Sequence, residues 1–194
     1  GIGRGIVRIL AERGADIIVA DMNEKASDEA VAEVEGMGRR SLSVPTDVTD
    51  DNGTDGMVAS ALSMYGRVDI LVCNAGVAGA PGWWERDEPS ADDWDATYAV
   101  NVRGVMHSIE SVEGHMTERM KGKIVVIASI AARGGGAGPL AHYRASKGAA
   151  LNVSQAYALR LAPFNINVNT ICPGILWTDM WDQIAKRYLA DNPG

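Results

Sequence analysis

Tyr143 and Lys147, four residues apart, are the pair in this sequence best suited to proton chemistry. They open a stretch with helical patterning, so they share a face. A free phenol, with a pKa near 10, is a poor base. A neighbouring ammonium stabilises the phenolate and lowers that value, and an adjacent cationic ring would add to the effect. The tyrosine could then exchange a proton with an alcohol near neutral pH. Taken alone, the same spacing also describes an ordinary surface pair on a helix.

Other residues could complete a site around that pair. Ser129 ends the apolar run Ile124–Ala128, and the carboxyl end of a strand is where open parallel sheets bind ligands. Its hydroxyl could bond a substrate oxygen, or it could simply cap a turn. Asn101 lies between Val100 and Val102 in a helical region, where an amide is disfavoured unless something needs it. It is either functional or a satisfied buried amide. Gly1-Ile2-Gly3 runs directly into a helix. Glycines there let the backbone approach a pyrophosphate at the helix N-terminus, although two glycines also mark a plain turn. Asp21 closes an apolar strand about 20 residues beyond such a turn, where a carboxylate can accept bonds from adenosine ribose hydroxyls and repel a 2′-phosphate. The alternative is that it caps the next helix.

The elements that must position these residues alternate nearly from end to end. Helices are expected over Ile6–Arg13, Glu24–Met37, Asn52–Tyr65, Ala91–Met120 with one or more breaks, and Tyr143–Leu161. Strands are expected over Asp16–Ala20, Ser41–Val44, Val68–Cys73, Ile124–Ala128 and Ile166–Ile171. Gly79–Pro89 and Arg133–Pro139 read as loops. Strands that are apolar throughout, separated by helices, imply a parallel sheet covered on both faces. Right-handed crossovers make it an α/β, Rossmann-type, doubly wound sheet. Residues 1–194 read as a single domain without repeats. The glycine turn has no strand before it, and no strand follows at the other end. The expectation is that the first, central strand and the C-terminal strand are lacking. The strands ending at Asp21 and Asn74 would then face each other across an empty slot.

Five motifs in order carry a resemblance. Tyr143-Arg144-Ala145-Ser146-Lys147 resembles the Tyr-x-x-Ser-Lys signature of the short-chain dehydrogenase/reductase family. Asn74-Ala75-Gly76 is similar to its Asn-Ala-Gly turn, and Asn101-Val102-Arg103-Gly104 to its Asn-x-x-Gly helix motif. Asp47-Val48 resembles its adenine-contacting pair, and Pro173-Gly174 with Thr178 its Pro-Gly-x-x-x-Thr segment. The resemblance covers essentially the whole chain. It implies a nicotinamide-dependent oxidoreductase acting on a secondary alcohol or its ketone. Tyr143 would be the acid/base and Lys147 the residue that holds the nicotinamide ribose and lowers the tyrosine pKa. Ser129 would orient the substrate, and Asn101 would anchor a relay water. Gly1 and Gly3 resemble the last two glycines of the family's Gly-x-x-x-Gly-x-Gly turn. Gly1, Ile2, Gly3, Asp21, Asp47, Val48, Asn74, Ala75, Gly76, Pro173, Gly174 and Thr178, with Tyr143 and Lys147, would hold the cofactor. Asp21 makes that cofactor NAD.

The segment from Cys172 to Trp181 is reminiscent of members that handle polyols and small diols. A 3-oxoacyl-(acyl carrier protein) reductase using NADPH shares every motif, but Asp21 speaks against it. A non-catalytic, dinucleotide-sensing protein is the alternative from another class, and such relatives typically lose the tyrosine or the lysine. Trp94 is expected in the core. Trp83, Trp84, Trp177 and Trp181 either line a partly apolar pocket or serve packing. The family's long helices, here Asn101–Met120 and Tyr143–Leu161, commonly pack against their copies. Ala149, Ala150, Ala156 and Ala158 permit close approach, so a homotetramer or homodimer is expected.

Composition narrows the remaining classes. Of the 194 residues, 46% are hydrophobic and 22% charged, with a net charge of −7 and no basic cluster. That argues against a nucleic-acid partner. No apolar run approaches bilayer length, so no membrane partner is expected. His107, His115 and His142 lack metal-ligand spacing, and no metal is expected. Cys73 and Cys172 in apolar stretches read as buried free thiols, consistent with a reducing, cytoplasmic setting.

Overall fold

Parallel strands with helical crossovers dominate the computed structural model, which describes residues 1–134 and 140–191. In chain order the elements are α1 (Ile2–Glu12), β1 (Ile17–Asp21), α2 (Glu24–Gly36), β2 (Ser41–Pro45), α3 (Asp51–Tyr65), β3 (Ile70–Cys73), α4 (Ala91–Tyr98), α5 (Gly104–Glu118), β4 (Gly122–Ile127), α6 (Ala141–Leu161), β5 (Ile166–Ile171) and α7 (Asp179–Asp191). The expected α/β class and parallel pairing hold. β1 pairs with β2, Ile17 opposite Ser41. β4 sits between β3 and β5, with Ile124 opposite Leu71 and Val168.

The sheet is in two pieces, one of order β1-β2 and one of order β3-β4-β5. β1 and β3 both line a single cavity of about 1120 Å³, walled by Val7 and Leu10 of α1 and by Met57, Val58 and Ala61 of α3. This is the slot the sequence implied. Ile17 N–H donates to Arg40 O and Thr46 N–H to Asp21 O, so the odd-numbered backbone groups of β1 serve β2. Strand alternation turns those of Ile18 and Ala20 toward the slot. Lys123 N–H likewise bonds Asp69 O, which turns the groups of Ile70 and Val72 to its other side.

The main core belongs to the three-stranded piece. Ile124, Val126, Ile109, Met116, Leu161 and Ile166 are at most 1% exposed there. Around β1 the buried cluster is Ala11, Ile17 and Val34.

Several boundaries differ from expectation for local reasons. α1 starts at Ile2 rather than Ile6. Its glycines lower helix propensity, but Val7, Leu10 and Ala11 pack against Ile17 and Val34. β3 starts at Ile70 rather than Val68, because Val68 gives its N–H to His115 Nε2 and its carbonyl to Arg119 instead of to a strand. The break expected within Ala91–Met120 is a π-helical turn, Ala99–Arg103. α7 went unforeseen, although Thr178 and the acidic Asp179 and Asp182 form an N-terminal signature. Trp94 is not in the core: it is 39% exposed, its ring tilted by 31° to Tyr98 and by 60° to His142. Cys73 is buried, and burial pushes its thiol up to about 12, whereas Cys172 is only half-buried. Of the loop expected over Arg133–Pro139, residues 135–139 lie outside the described ones.

Candidate active site

Tyr143 lies in the first turn of α6, whose N-terminal end faces the carboxyl ends of β3 and β4. Lys147, one turn on, is 4% exposed. Its Nζ donates to Ile127 O at 3.0 Å, at the last residue of β4, and lies 5.9 Å from the centre of the Tyr143 ring. Ser129 stands two residues beyond β4. Its hydroxyl accepts from Ala131 N–H at 3.1 Å, capping a short 3₁₀ turn, and its polar influence reaches the Tyr143 phenol. The turn-cap reading of Ser129 is thus observed.

The electrostatics depart from the sequence-level picture. Burial pushes the Tyr143 phenol above its ordinary value, and the Ser129 hydrogen bond draws it only part of the way back. Burial also pushes the Lys147 ammonium down to about 8. The expectation that the lysine lowers the phenol is thus not met by these side chains alone. Both groups are desolvated, and the ammonium spends a donor on Ile127 O. A further positive charge beside the phenol would be needed to lower it.

Asn101 occupies the π-helical turn and is fully buried. Its Oδ1 accepts from Val77 N–H at 2.9 Å, and its Nδ2 donates to Val77 O and Ser146 Oγ, each at 2.9 Å. The side chain is thus a satisfied buried amide that stitches the end of β3 to α6. Single π turns inside helices are frequent at functional sites.

Gly76 makes this closeness possible. A Cβ there would lie 3.0 Å from Lys147 Nζ and 3.2 Å from Asn101 Oδ1. Gly3 behaves similarly, since its Cβ would lie 2.7 Å from Asn74 Nδ2. Gly104 admits Val48, whose Cγ2 would be 2.6 Å from an added Cβ, and Gly53 admits the Asp47 carbonyl at 2.7 Å. The Asp47–Val48 bend is thereby seated on α3 and α5, and Asp47 Oδ1 accepts from the Thr49 N–H and hydroxyl.

Gly1, Ile2, Gly3, Asp21, Asn74, Gly76, Tyr143, Lys147 and Thr178 all line the large cavity. Asp21 is exposed at the end of β1, and its Oδ1 accepts from Asn23 N–H. The cap of α2 is Asn23, not Asp21, because Asn23 Oδ1 takes the Ala26 N–H. That removes the helix-cap reading of Asp21. Ala75 and Gly174 are exposed beside this rim. Pro173 accepts from Ile130 N–H, which holds the Pro-Gly segment against the Ser129 turn. Asp47, Val48, Ala75, Asn101, Ser129, Pro173 and Gly174 do not line the cavity itself.

Opposite this rim, Trp83 is buried with Ala78 and Leu140, and Trp84, Tyr143, Met180 and Ile184 pack against them. Sequence reading had no means of choosing among the tryptophans. Trp177, another of the tryptophans expected to line a pocket or serve packing, is 79% exposed. Among the described residues no His/Cys/Asp/Glu cluster could hold a metal, and no helix is long and apolar enough to cross a membrane.

Strand ends that gather a tyrosine, a lysine and a serine beside a glycine-opened helix define a dinucleotide-dependent oxidoreductase of Rossmann type. The comparisons make the class specific. The family model for short chain dehydrogenases matches residues 1–189. Cyclopentanol dehydrogenase of Comamonas sp. strain NCIMB 9872 is 38% identical over 95% of this chain and 72% of its own length. The 2,3-dihydro-2,3-dihydroxybenzoate dehydrogenase of Bacillus subtilis strain 168 is 37% identical over 99% of this chain and 72% of its own. The structure of NAD+-bound xylitol dehydrogenase superposes with a TM-score of 0.84 at 34% identity, over 94% of this chain and 70% of that one. The chain belongs to the short-chain dehydrogenase/reductase family. It is an oxidoreductase acting on alcohols or ketones, in a family that binds a nicotinamide dinucleotide.

Proposed function

We propose that this chain interconverts a secondary alcohol and its ketone with NAD(H), using Tyr143 as the acid/base. The observation that carries the reading is Tyr143 beside the buried Lys147, whose Nζ lies 5.9 Å from the ring centre, on the same cavity as Asp21. The cavity rim fits the cofactor. The first N–H groups of α1 have no intrahelical acceptor and face the turn at Gly1, and Gly3 and Gly76 leave room that a Cβ would fill. Asp21 offers a carboxylate to the adenosine ribose and repels a 2′-phosphate. Asp47 and Val48 would hold the adenine, and Asn74, Ala75, Gly76, Pro173, Gly174 and Thr178 would hold the nicotinamide end.

A nicotinamide held by these residues would supply the hydride acceptor for oxidation of the carbinol carbon and the hydride donor for the reverse. The Tyr143 Oη removes the hydroxyl proton in one direction and gives it back in the other. Ser129 Oγ donates to the substrate oxygen. Lys147 binds the ribose, and with the cationic ring it stabilises the phenolate. A binding protein without catalysis has no use for this desolvated trio, and NADPH-linked 3-oxoacyl reduction is disfavoured by Asp21. The outward face shared by α5 and α6, where Tyr157 meets Glu110, Arg160 meets Glu113 and Leu159 is 81% exposed, suits a homo-oligomer. The free thiols suit a cytoplasmic setting.

The test is turnover of a panel of secondary alcohols with NAD+ and with NADP+, read by absorbance of the reduced cofactor. NAD+ is expected to support the higher kcat/KM. Tyr143→Phe should lose about 10²–10⁴-fold in kcat while still binding NADH. A preference for NADP+, or substantial turnover by the phenylalanine variant, refutes the assignment.

A further inference from the structure

We propose that α7 and the loop before α4 form an apolar wall on the substrate side of Tyr143, pegged in place by Trp83. The substrate then carries an alkyl or alicyclic group, not a hydroxylated chain, on the arm facing that wall. The inference rests on the alcohol/ketone reading above and narrows its substrate.

Trp83 is the fixed point. Gly82, in the left-handed region at φ +77°, turns the chain into its short 3₁₀ helix. Gly79 receives the indole so closely that a Cβ would lie 2.6 Å from Trp83 Cβ. The loop is anchored to α4 through Asp93, which is 1% exposed. Burial alone would raise the Asp93 carboxyl. Arg86, the Ser90 N–H and hydroxyl, and the Ala80 N–H together hold it well below the usual range.

Upon this loop α7 docks at two places. Trp83 Nε1 donates to Gln183 Oε1 at 3.4 Å, and Arg187 reaches the Asp87 carbonyl at 3.4 Å and its carboxylate at 3.7 Å. Met180 and Ile184, four apart and so on one face of α7, pack against the Trp83 cluster together with Trp84 and the Tyr143 ring. Met180 and Tyr143 also line the large cavity. A carbinol held at the Tyr143 Oη therefore meets thioether and aromatic carbon on this side. Gln183 turns its Oε1 toward the Trp83 indole, and the Met180 and Ile184 side chains packed there offer a hydroxyl no strong partner. Substrate hydroxyls pressed there would give up water without replacement, which disfavours them. Asp179, exposed at the mouth, keeps the solvent side polar, so the demand falls on one arm only. Trp83 acts through α7 and is a positioning residue.

Cyclopentanol and xylitol have five carbons each and separate the two chemistries. With NAD+, kcat/KM for cyclopentanol should exceed that for xylitol by about 10²-fold. Trp83→Ala should shrink this ratio about tenfold, mainly through a raised KM for cyclopentanol, whereas Trp83→Phe should keep most of it. If Trp83→Ala does not fold, Met180→Asn on the half-buried face should move the preference toward xylitol. Ligand-observed NMR with cyclopentanone and xylitol reads the wall without turnover. Saturation transfer to cyclopentanone but not xylitol supports it even if no alcohol is oxidised, an outcome that would count against the reaction alone. Equal or better use of xylitol, absence of cyclopentanone binding, or an unchanged ratio in both Trp83→Ala and Met180→Asn overturns the proposal.

Discussion

The pair β1-β2 and the triplet β3-β4-β5 are built from the same parallel strands, yet they are unequal. Among the described residues the triplet is backed by thirteen mutually packed buried side chains, and the pair by three. Tyr143, Lys147, Ser129 and Asn101 all hang from the triplet or its helices. Asp21 and the α1 turn belong to the pair. The groups that must hold a proton to within fractions of an ångström sit on the stiffer scaffold, while a ribose contact tolerates a thinner one.

The largest expected effect comes from joining the two pieces. An apolar, β-branched segment of five residues fused ahead of Gly1 should enter the slot parallel to β1 and β3. It would pair the backbone groups of Ile18, Ala20, Ile70 and Val72. Each such group costs about 1–3 kcal/mol when buried unpaired, so Tm should rise by roughly 10–20 °C. An unchanged Tm would show that the slot rejects a strand.

Next, the same substitution should cost different amounts in the two pieces. Ile124→Ala, in the closed core of β4, is expected to lose about 3–5 kcal/mol. Ile17→Ala, on a strand that lines the cavity, should lose about 2 kcal/mol or less, because it opens little new void. Urea unfolding of both variants decides, and equal losses would erase the distinction.

Lys147 sharpens the comparison through pH. Its folded pKa of about 8 lies below its ordinary 10.5. Below pH 8 both states are protonated and burial destabilises the fold in full, by an amount on the order of 3 kcal/mol. Between about 8 and 10.5 the folded protein releases the proton first, so this group's penalty fades as pH rises. Cys73 works the other way above its ordinary 9.0, since its folded thiol keeps the proton to about 12. Lys147→Met should therefore be more stable than the parent at pH 7, the gap closing toward pH 10. A gap constant with pH would contradict the burial account.

The smallest effect belongs to the thin piece. Asp21→Ala should lower the NAD+/NADP+ preference by about tenfold, close to 1.4 kcal/mol, and leave kcat with NAD+ nearly unchanged. A fall in kcat like that of a Tyr143 variant would mean that the two pieces do not divide the work.

Much of this was legible in the sequence. The apolar strands and their glycine punctuation marked the parallel sheet. Tyr143 and Lys147 lie together on α6 as their four-residue spacing implied, with Lys147 Nζ 5.9 Å from the Tyr143 ring centre. Three features were hidden, each for a tertiary reason. The desolvation that raises the Tyr143 phenol depends on what covers it. The commitment of the Asn101 amide to Val77 and Ser146 depends on contacts 24 and 45 residues away. The choice of Trp83 over Trp177 as the buried indole depends on Gly79 and α7, which no local pattern connects.

The π-helical turn at Ala99–Arg103 also works as a spacer of fixed phase. Asn101 within it grips the loop after β3, and Gly104 at its end receives Val48 from the loop after β2. One wide turn thus sets the angle between the two ends of the proposed cofactor site. An α-helix advances about 100° and 1.5 Å per residue. Removing one residue would restore the common winding and rotate Gly104 out from under Val48 while Asn101 stayed in place. The irregular turn is what lets one helix keep two appointments that regular geometry would put out of step.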